Sequence, residues 1–121
     1  MNILLDINNI DQKYIFFQEA IKNTVINNSN FIRILYSCKE FTLTNIHIKF
    51  NLKKNPELLS KITNLEKNIL NLFNSNSNHY LKLKEQLTTI NNNNKDTILK
   101  ISGIWENENN IGITSKLIQI N

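Results

Sequence analysis

Two isoleucine-rich segments near the end of the chain, residues 98–106 and 111–120, place the strongest constraint on its fold. Both combine β-branched residues with alternation, which is typical of strands. The residues between them, Asn107–Asn110, are polar turn formers. The sequence therefore predicts a closing β-hairpin. This hairpin contains both glycines and the only tryptophan of the protein.

Three further strands are predicted upstream of the hairpin. Residues 13–26 are predicted to be one long, bent first strand, with an interruption at residues 18–22 as the alternative, and residues 31–38 to be the second strand. Residues 41–53 form the predicted third strand, and residues 27–30 between the first two are a turn. The third strand alternates most clearly, with an apolar face and a polar, basic face, so we expect it to be half buried. Residues 1–12 are interpreted as an N-terminal arm, and a short strand is the alternative for this segment.

One amphipathic helix is predicted after these strands. Asn55 suits the N-cap and Pro56 the first helical position. Apolar residues then recur at spacings of three and four over about four turns. We expect this stripe to cover the sheet, and a short dimerising coiled coil is the alternative. Within residues 79–90 a short second helix is favoured, although residues 80–83 alternate like a strand, and residues 91–94 are predicted to be a loop. The stripe consists of Leu58, Ile62, Leu65, Ile69 and Leu72.

The order of these elements is strand, strand, strand, helix, strand, strand. It predicts a mainly β (β+α) protein, an OB-fold-like five-stranded Greek-key barrel with a helix between strands 3 and 4. The barrel domain would span residues 13–121, following the arm at 1–12. Other small β-rich folds share this order, so the order alone does not define the OB-fold.

The distribution of charge suggests a polyanionic partner. The formal net charge is +4. Residues 21–54, which contain the predicted second and third strands, carry six basic residues and one acidic residue. A positive strand face of this kind suits nucleic acid. A solvated surface without a partner is the alternative.

A face that binds single-stranded nucleic acid needs cations for the phosphates and flat side chains for the bases. Phe31 supplies a stacking surface on the second strand, although it could also belong to the core. Trp105 is a second stacking candidate, or else a plug for the end of the barrel. The predicted nucleic-acid-binding residues are Phe31, Arg33, His47, Lys49, Lys53, Lys100, Trp105 and Lys116.

The sequence contains no motif that indicates catalysis, so we do not expect an enzyme. Its acidic residues are scattered, and it has neither a glycine-rich phosphate loop nor a nucleophile motif. The lone cysteine, Cys38, excludes an internal disulfide, and with His47 and His79 it is too little for a zinc site. We therefore expect no metal, cofactor or small-molecule substrate. No signal peptide or membrane-spanning run is evident, which favours an intracellular protein without a membrane partner.

Several segments resemble compact OB-fold single-stranded DNA-binding proteins of large DNA viruses with A/T-rich genomes. The most specific are the Gly103–Glu106 run, Gly-Ile-Trp-Glu, and Ile111–Thr114, Ile-Gly-Ile-Thr, which follows it after a polar turn. Residues 31–37 and 65–70 add to the likeness. The resemblance implies a protein that coats exposed single-stranded DNA, or RNA, during viral replication or recombination, in the host cytoplasm or nucleus. The alternative is an interaction module that forms a homodimer without binding nucleic acid.

Overall fold

The described residues form a β-rich protein with two helices. The structure is a computed structural model that describes residues 3–22, 28–90 and 95–120. Its strands form an open mixed sheet. This confirms the predicted mainly β class, whereas the five-stranded Greek-key barrel stays a prediction. The elements are β1 Leu4–Leu5, β2 Ile15–Phe17, β3 Ile21–Lys22, β4 Asn30–Ser37, β5 Thr42–Leu43, β6 Ile46–Phe50, α1 Leu58–Asn74, β7 Asn78–Tyr80, α2 Leu83–Ile90, β8 Asp96–Glu106 and β9 Asn110–Ile120.

The long strand β8 lies in the middle of the sheet. Along one edge it pairs antiparallel with β9 from end to end, which confirms the predicted closing hairpin. Its other edge is shared. Residues 97–101 pair with β6, and residues 103–106 pair with β4. The register of the hairpin shifts between Ile101 and Gly103, so a bulge lies at Ser102. The bulge reverses which face each later residue of β8 occupies.

The predicted second strand is confirmed, and the third strand is shorter than predicted. The first strand is interrupted, since β2 and β3 pair with β4 as two short pieces. Residues 23–26 of that prediction, Asn27 of the turn and the 91–94 loop lie outside the described residues. The third strand ends at Phe50 because the next side chain, Asn51, is buried and donates to Asp96 at 3.2 Å. The Asn51 amide oxygen also accepts from the Lys54 N–H at 3.1 Å, which stabilises the turn.

Helix α1 confirms the predicted amphipathic helix, and α2 confirms the short second one. Ile62, Leu65 and Ile69 of the stripe are buried in the apolar core, so the middle of the stripe covers the sheet, whereas Leu72 at its end is 45% exposed. The start of α1 differs from the prediction. Glu57 occupies the N-cap position without a side-chain hydrogen bond, and the Asn55 carbonyl accepts from the Leu58 N–H at 3.1 Å.

One apolar cluster fills the space between the sheet and the helices. The inner faces of β4, β6 and β8 supply most of its isoleucines, as the period of two requires. The segment before β2 also packs there, since β1 pairs in parallel with β6. The opposite face of the sheet, called the outer face below, is consequently available to solvent and to ligands. Fully buried members of the core include Ile32, Ile34, Ile46, Ile48, Leu99, Ile101 and Ile104.

Candidate nucleic-acid interface

Three aromatic side chains form a row across the outer face. Phe31 of β4 lies opposite Trp105 of β8, Trp105 lies opposite Gly112 of β9, and Gly112 lies opposite Tyr80 of β7. Cross-strand partners share a face of the sheet, so the three rings form a line at right angles to the strands. The Tyr80 and Trp105 ring centroids are 5.9 Å apart, with their planes tilted by 57°. Phe31, Trp105 and Tyr80 are called the aromatic row.

The two glycines make room for two of these rings. A Cβ atom added at Gly112 would lie 2.5 Å from Cζ2 of Trp105. A Cβ atom added at Gly103 would lie 2.9 Å from Cε1 of Phe31. The Trp105 and Phe31 rings therefore rest directly on backbone that carries no side chain. Glycine in a strand often marks such a close approach.

A row of basic side chains lies further along the same face. His47 of β6 is directly opposite Lys100 of β8, and Lys100 is directly opposite Lys116 of β9. Burial and the neighbouring Lys100 charge lower the pKa of His47. Neither lysine forms an ion pair with any residue that the structure describes. Like charges placed directly opposite are unfavourable for a sheet. His47, Lys100 and Lys116 are called the basic row.

Arg33 connects the two rows. It lies opposite Gly103, between the aromatic row and the basic row along the strands. Its guanidinium carbon is 5.7 Å from the centroid of the Phe31 ring, which is within cation–π range. Lys49 lies at the far side of the basic row, but a carboxylate already accompanies it, since its Nζ is 3.7 Å from Asp96 Oδ2.

The structure brings seven of the eight predicted site residues to the outer face, and the exception is Lys53. The alternation predicts Lys53 on the polar face of the third strand, but that strand ends at Phe50 and Lys53 lies in the following turn. Phe31 and Trp105 are both half-buried and belong to the outer face, not to the buried core. The seven are Phe31, Arg33, His47, Lys49, Lys100, Trp105 and Lys116.

Sequence reasoning missed Tyr80 and the supporting glycines. Tyr80 reaches the aromatic row because β7 pairs in parallel with the start of β9, a contact between segments distant in sequence. Tyr80 is 59% exposed, so its ring is accessible to a ligand. The glycines did carry a signal, because both interrupt strand patterns.

The buried carboxylate of Glu66 on α1 holds the two helices together and is not part of the outer face. Glu66 is only 1% exposed and accepts from the backbone N–H groups of Lys82 at 3.0 Å and Leu83 at 3.3 Å. Burial raises the pKa of Glu66, and these two hydrogen bonds oppose the rise. The carboxylate therefore anchors the start of α2, beside a groove of about 700 Å³ between the helices.

Fold and outer face together define a β-rich protein with an aromatic and basic sheet surface. No protein family, curated protein or solved structure matches the chain. Within residues 3–22, 28–90 and 95–120, no group of three or more His, Cys, Asp or Glu side chains is placed to hold a metal ion. Neither described helix is long and apolar enough to cross a membrane.

Proposed function

We propose that this protein binds single-stranded nucleic acid, DNA in the first instance, on the outer face of its sheet and without sequence specificity. The observation that carries the proposal is the aromatic row of Phe31, Trp105 and Tyr80 on the same face as Arg33 and the basic row. Rings that stack on bases contribute about 1–3 kcal/mol per base to single-strand binding. Cations beside them neutralise phosphates and release counterions.

This chemistry selects single strands over duplexes. The bases of a duplex are already stacked on one another, so they cannot lie on the aromatic row without unpairing. Stacking also tolerates any base, since every base has a π-face. The surface therefore suits a protein that coats exposed strands. The predicted OB-fold and the viral resemblance agree with a role in replication or recombination at such strands, in the host cytoplasm or nucleus.

Fluorescence anisotropy with a labelled oligo-dT tests the proposal. We expect binding that weakens with salt and that a matched duplex does not compete away. Lys116→Glu should weaken binding and lower the salt slope by about 0.7 for each lost phosphate contact. The matched control is Lys39→Glu, which makes the same charge change in the exposed turn between β4 and β5. Equal losses in both variants would show an effect of net charge only, and no binding at low salt would refute the proposal.

A second candidate function is homodimerisation through the edge of β9. Residues 113–120 of β9 pair with β8 along one edge, and among the described strands β7 reaches the other edge only as far as Gly112. The strand β9 also carries Ile118 and Ile120, each 40% exposed. The alternative dimer through the α1 stripe is disfavoured, because Ile62, Leu65 and Ile69 are buried within one chain.

Sedimentation equilibrium over a range of protein concentrations tests the dimer. Exposed strand edges bind other strands unless charges prevent it. If β9 edges associate, the wild-type mass rises with concentration and Ile118→Lys returns it to that of one chain. Leu72→Lys is the control, since Leu72 is also exposed but lies on α1. A concentration-independent monomer mass for the wild type would exclude this function.

A further inference from the structure

The aromatic row and the basic row run parallel to each other. Each consists of direct cross-strand neighbours, so each crosses the sheet at right angles to β8. On β9, the partners of Trp105 and Lys100 are four positions apart, at Gly112 and Lys116, so the two rows are about 13 Å apart at the usual rise per residue. Arg33 occupies the gap, and lysine side chains are long enough to extend into it. The outer face therefore has a side for bases and a side for phosphates.

We infer that a bound single strand crosses β4, β8 and β9 at right angles, with three successive bases on Phe31, Trp105 and Tyr80. In this arrangement the phosphates lie between Arg33 and the basic row. The inference rests on the proposed function and specifies its ligand as a run of three unstacked nucleotides.

The backbone beneath two of the aromatic rings limits each of these rings to stacking on one base. The Trp105 ring rests on Gly112 and the Phe31 ring on Gly103, so one face of each ring is covered by backbone. On Trp105 the other face can receive a base, whereas on Phe31 a base shares the ring with the Arg33 guanidinium, 5.7 Å from its centroid. The 57° tilt between the Tyr80 and Trp105 planes prevents neighbouring bases from remaining parallel. Successive bases must therefore separate from one another, which a duplex does not permit.

A path along β8 would use this surface poorly. Neighbouring strands are about 4.8 Å apart, so a strand centred on Trp105 and running along β8 would leave Phe31 and Tyr80 to its sides. It would also leave the aromatic row after one nucleotide and continue over Ile98, which lies opposite Ile118. The crosswise path keeps every base beside a ring and its phosphates beside cations.

Tyr80→Ala distinguishes the two paths. Tyr80 is 59% exposed, so its removal leaves the core intact. We expect this variant to bind dT4 at least about fivefold more weakly than the wild type, as the loss of one stacked base requires. Tyr80→Phe should bind like the wild type, because it keeps the ring. Phe16→Ala is the matched control, since Phe16 is a 51% exposed aromatic residue that pairs with Leu35, away from the row.

A series of dT oligonucleotides of increasing length completes the test. For the crosswise path, wild-type affinity should rise steeply with length up to three nucleotides and then more slowly. For Tyr80→Ala the steep rise should end at two nucleotides. If Tyr80→Ala and Phe31→Ala bind like the wild type while Trp105→Ala and Lys116→Glu bind weakly, the crosswise path is refuted and the proposed function stands. If the wild type binds no oligonucleotide of any length, the proposed function itself fails.

Discussion

The same substitution at the two glycines should have different consequences for stability. Gly103→Ala and Gly112→Ala each add one methyl group to a residue of the hairpin. At Gly112 the three nearest atoms belong to the Trp105 ring, at 2.5, 2.6 and 2.7 Å from the added Cβ. At Gly103 the nearest atom is the backbone oxygen of Ile32, at 2.2 Å. A side chain can move away from a methyl group, whereas a backbone carbonyl within a ladder cannot.

For Gly112→Ala the expected change in stability is small. The Trp105 ring must rise by roughly 1 Å to restore ordinary contact, and it is only half-buried. Alanine is favoured over glycine within a strand by about 0.5–1 kcal/mol, which offsets part of the lost packing. The free energy of unfolding should therefore change by less than about 1 kcal/mol. Binding of single-stranded DNA should weaken by about 1–3 kcal/mol, because the displaced ring no longer holds its base.

For Gly103→Ala the expected loss of stability is larger. The added methyl group forces β8 away from Ile32 of β4, where the two strands are paired directly. Each backbone hydrogen bond lost there costs about 1 kcal/mol net. With two or three such bonds weakened, the free energy of unfolding should fall by about 2–3 kcal/mol.

Urea denaturation followed by far-UV circular dichroism compares the two variants without relying on the emission of Trp105. Oligo-dT anisotropy gives their affinities, and Ser102→Ala, at the neighbouring bulge, is the control. Equal stability losses at the two glycines would refute the close approach of β4 to β8. Unchanged DNA binding by Gly112→Ala would refute the role of the glycine as a support for the Trp105 ring.

Three further predictions concern titratable groups. Lys100→Gln should raise the pKa of His47 in an NMR titration, since the Lys100 charge lowers it, and an unchanged pKa would leave burial as the sole cause. Asp96→Asn should tighten oligo-dT binding and steepen its salt dependence, because it releases Lys49, and unchanged affinity would place Lys49 outside the interface. Burial raises the pKa of Glu66, so its contribution to stability is complete below the ordinary carboxyl pKa and is lost as the pH rises through its folded value. Glu66→Gln should flatten that fall in urea midpoints, and an unchanged pH profile would contradict the raised pKa.

The alternation of strand residues allowed much of the outer face to be predicted. In β4 and β6 the period of two correctly separated the core isoleucines from Arg33, His47 and Lys49. In β8 strict alternation from Lys100 would turn Trp105 inward. The bulge at Ser102 returns Trp105 to the outer face, and the local sequence pattern does not predict this bulge. A bulge depends on how two strands fit together, so one strand read alone does not reveal it.

Contacts between distant segments could not be predicted either. The parallel pairing of β7 with β9 brings Tyr80 beside Trp105, and the shared edge of β8 joins β4 and β6 to one strand. Both depend on tertiary packing and not on local propensity. The end of the third strand has a comparable cause. The hydrogen bonds of the buried Asn51 side chain to Asp96 and to the Lys54 N–H hold the chain in a turn, which moves Lys53 off the sheet.

The basic row is an arrangement that stability alone would not favour. Lys100 and Lys116 are direct cross-strand partners, and like charges in such a position are destabilising, whereas opposite charges contribute about 0.2–1 kcal/mol. Lys116→Glu should consequently raise the free energy of unfolding while it weakens oligo-dT binding. A phosphate between the two lysines would remove their repulsion in the complex, so binding and stability should respond to this substitution in opposite directions. If Lys116→Glu stabilises the fold in urea but leaves DNA affinity unchanged, the basic row does not serve nucleic-acid binding.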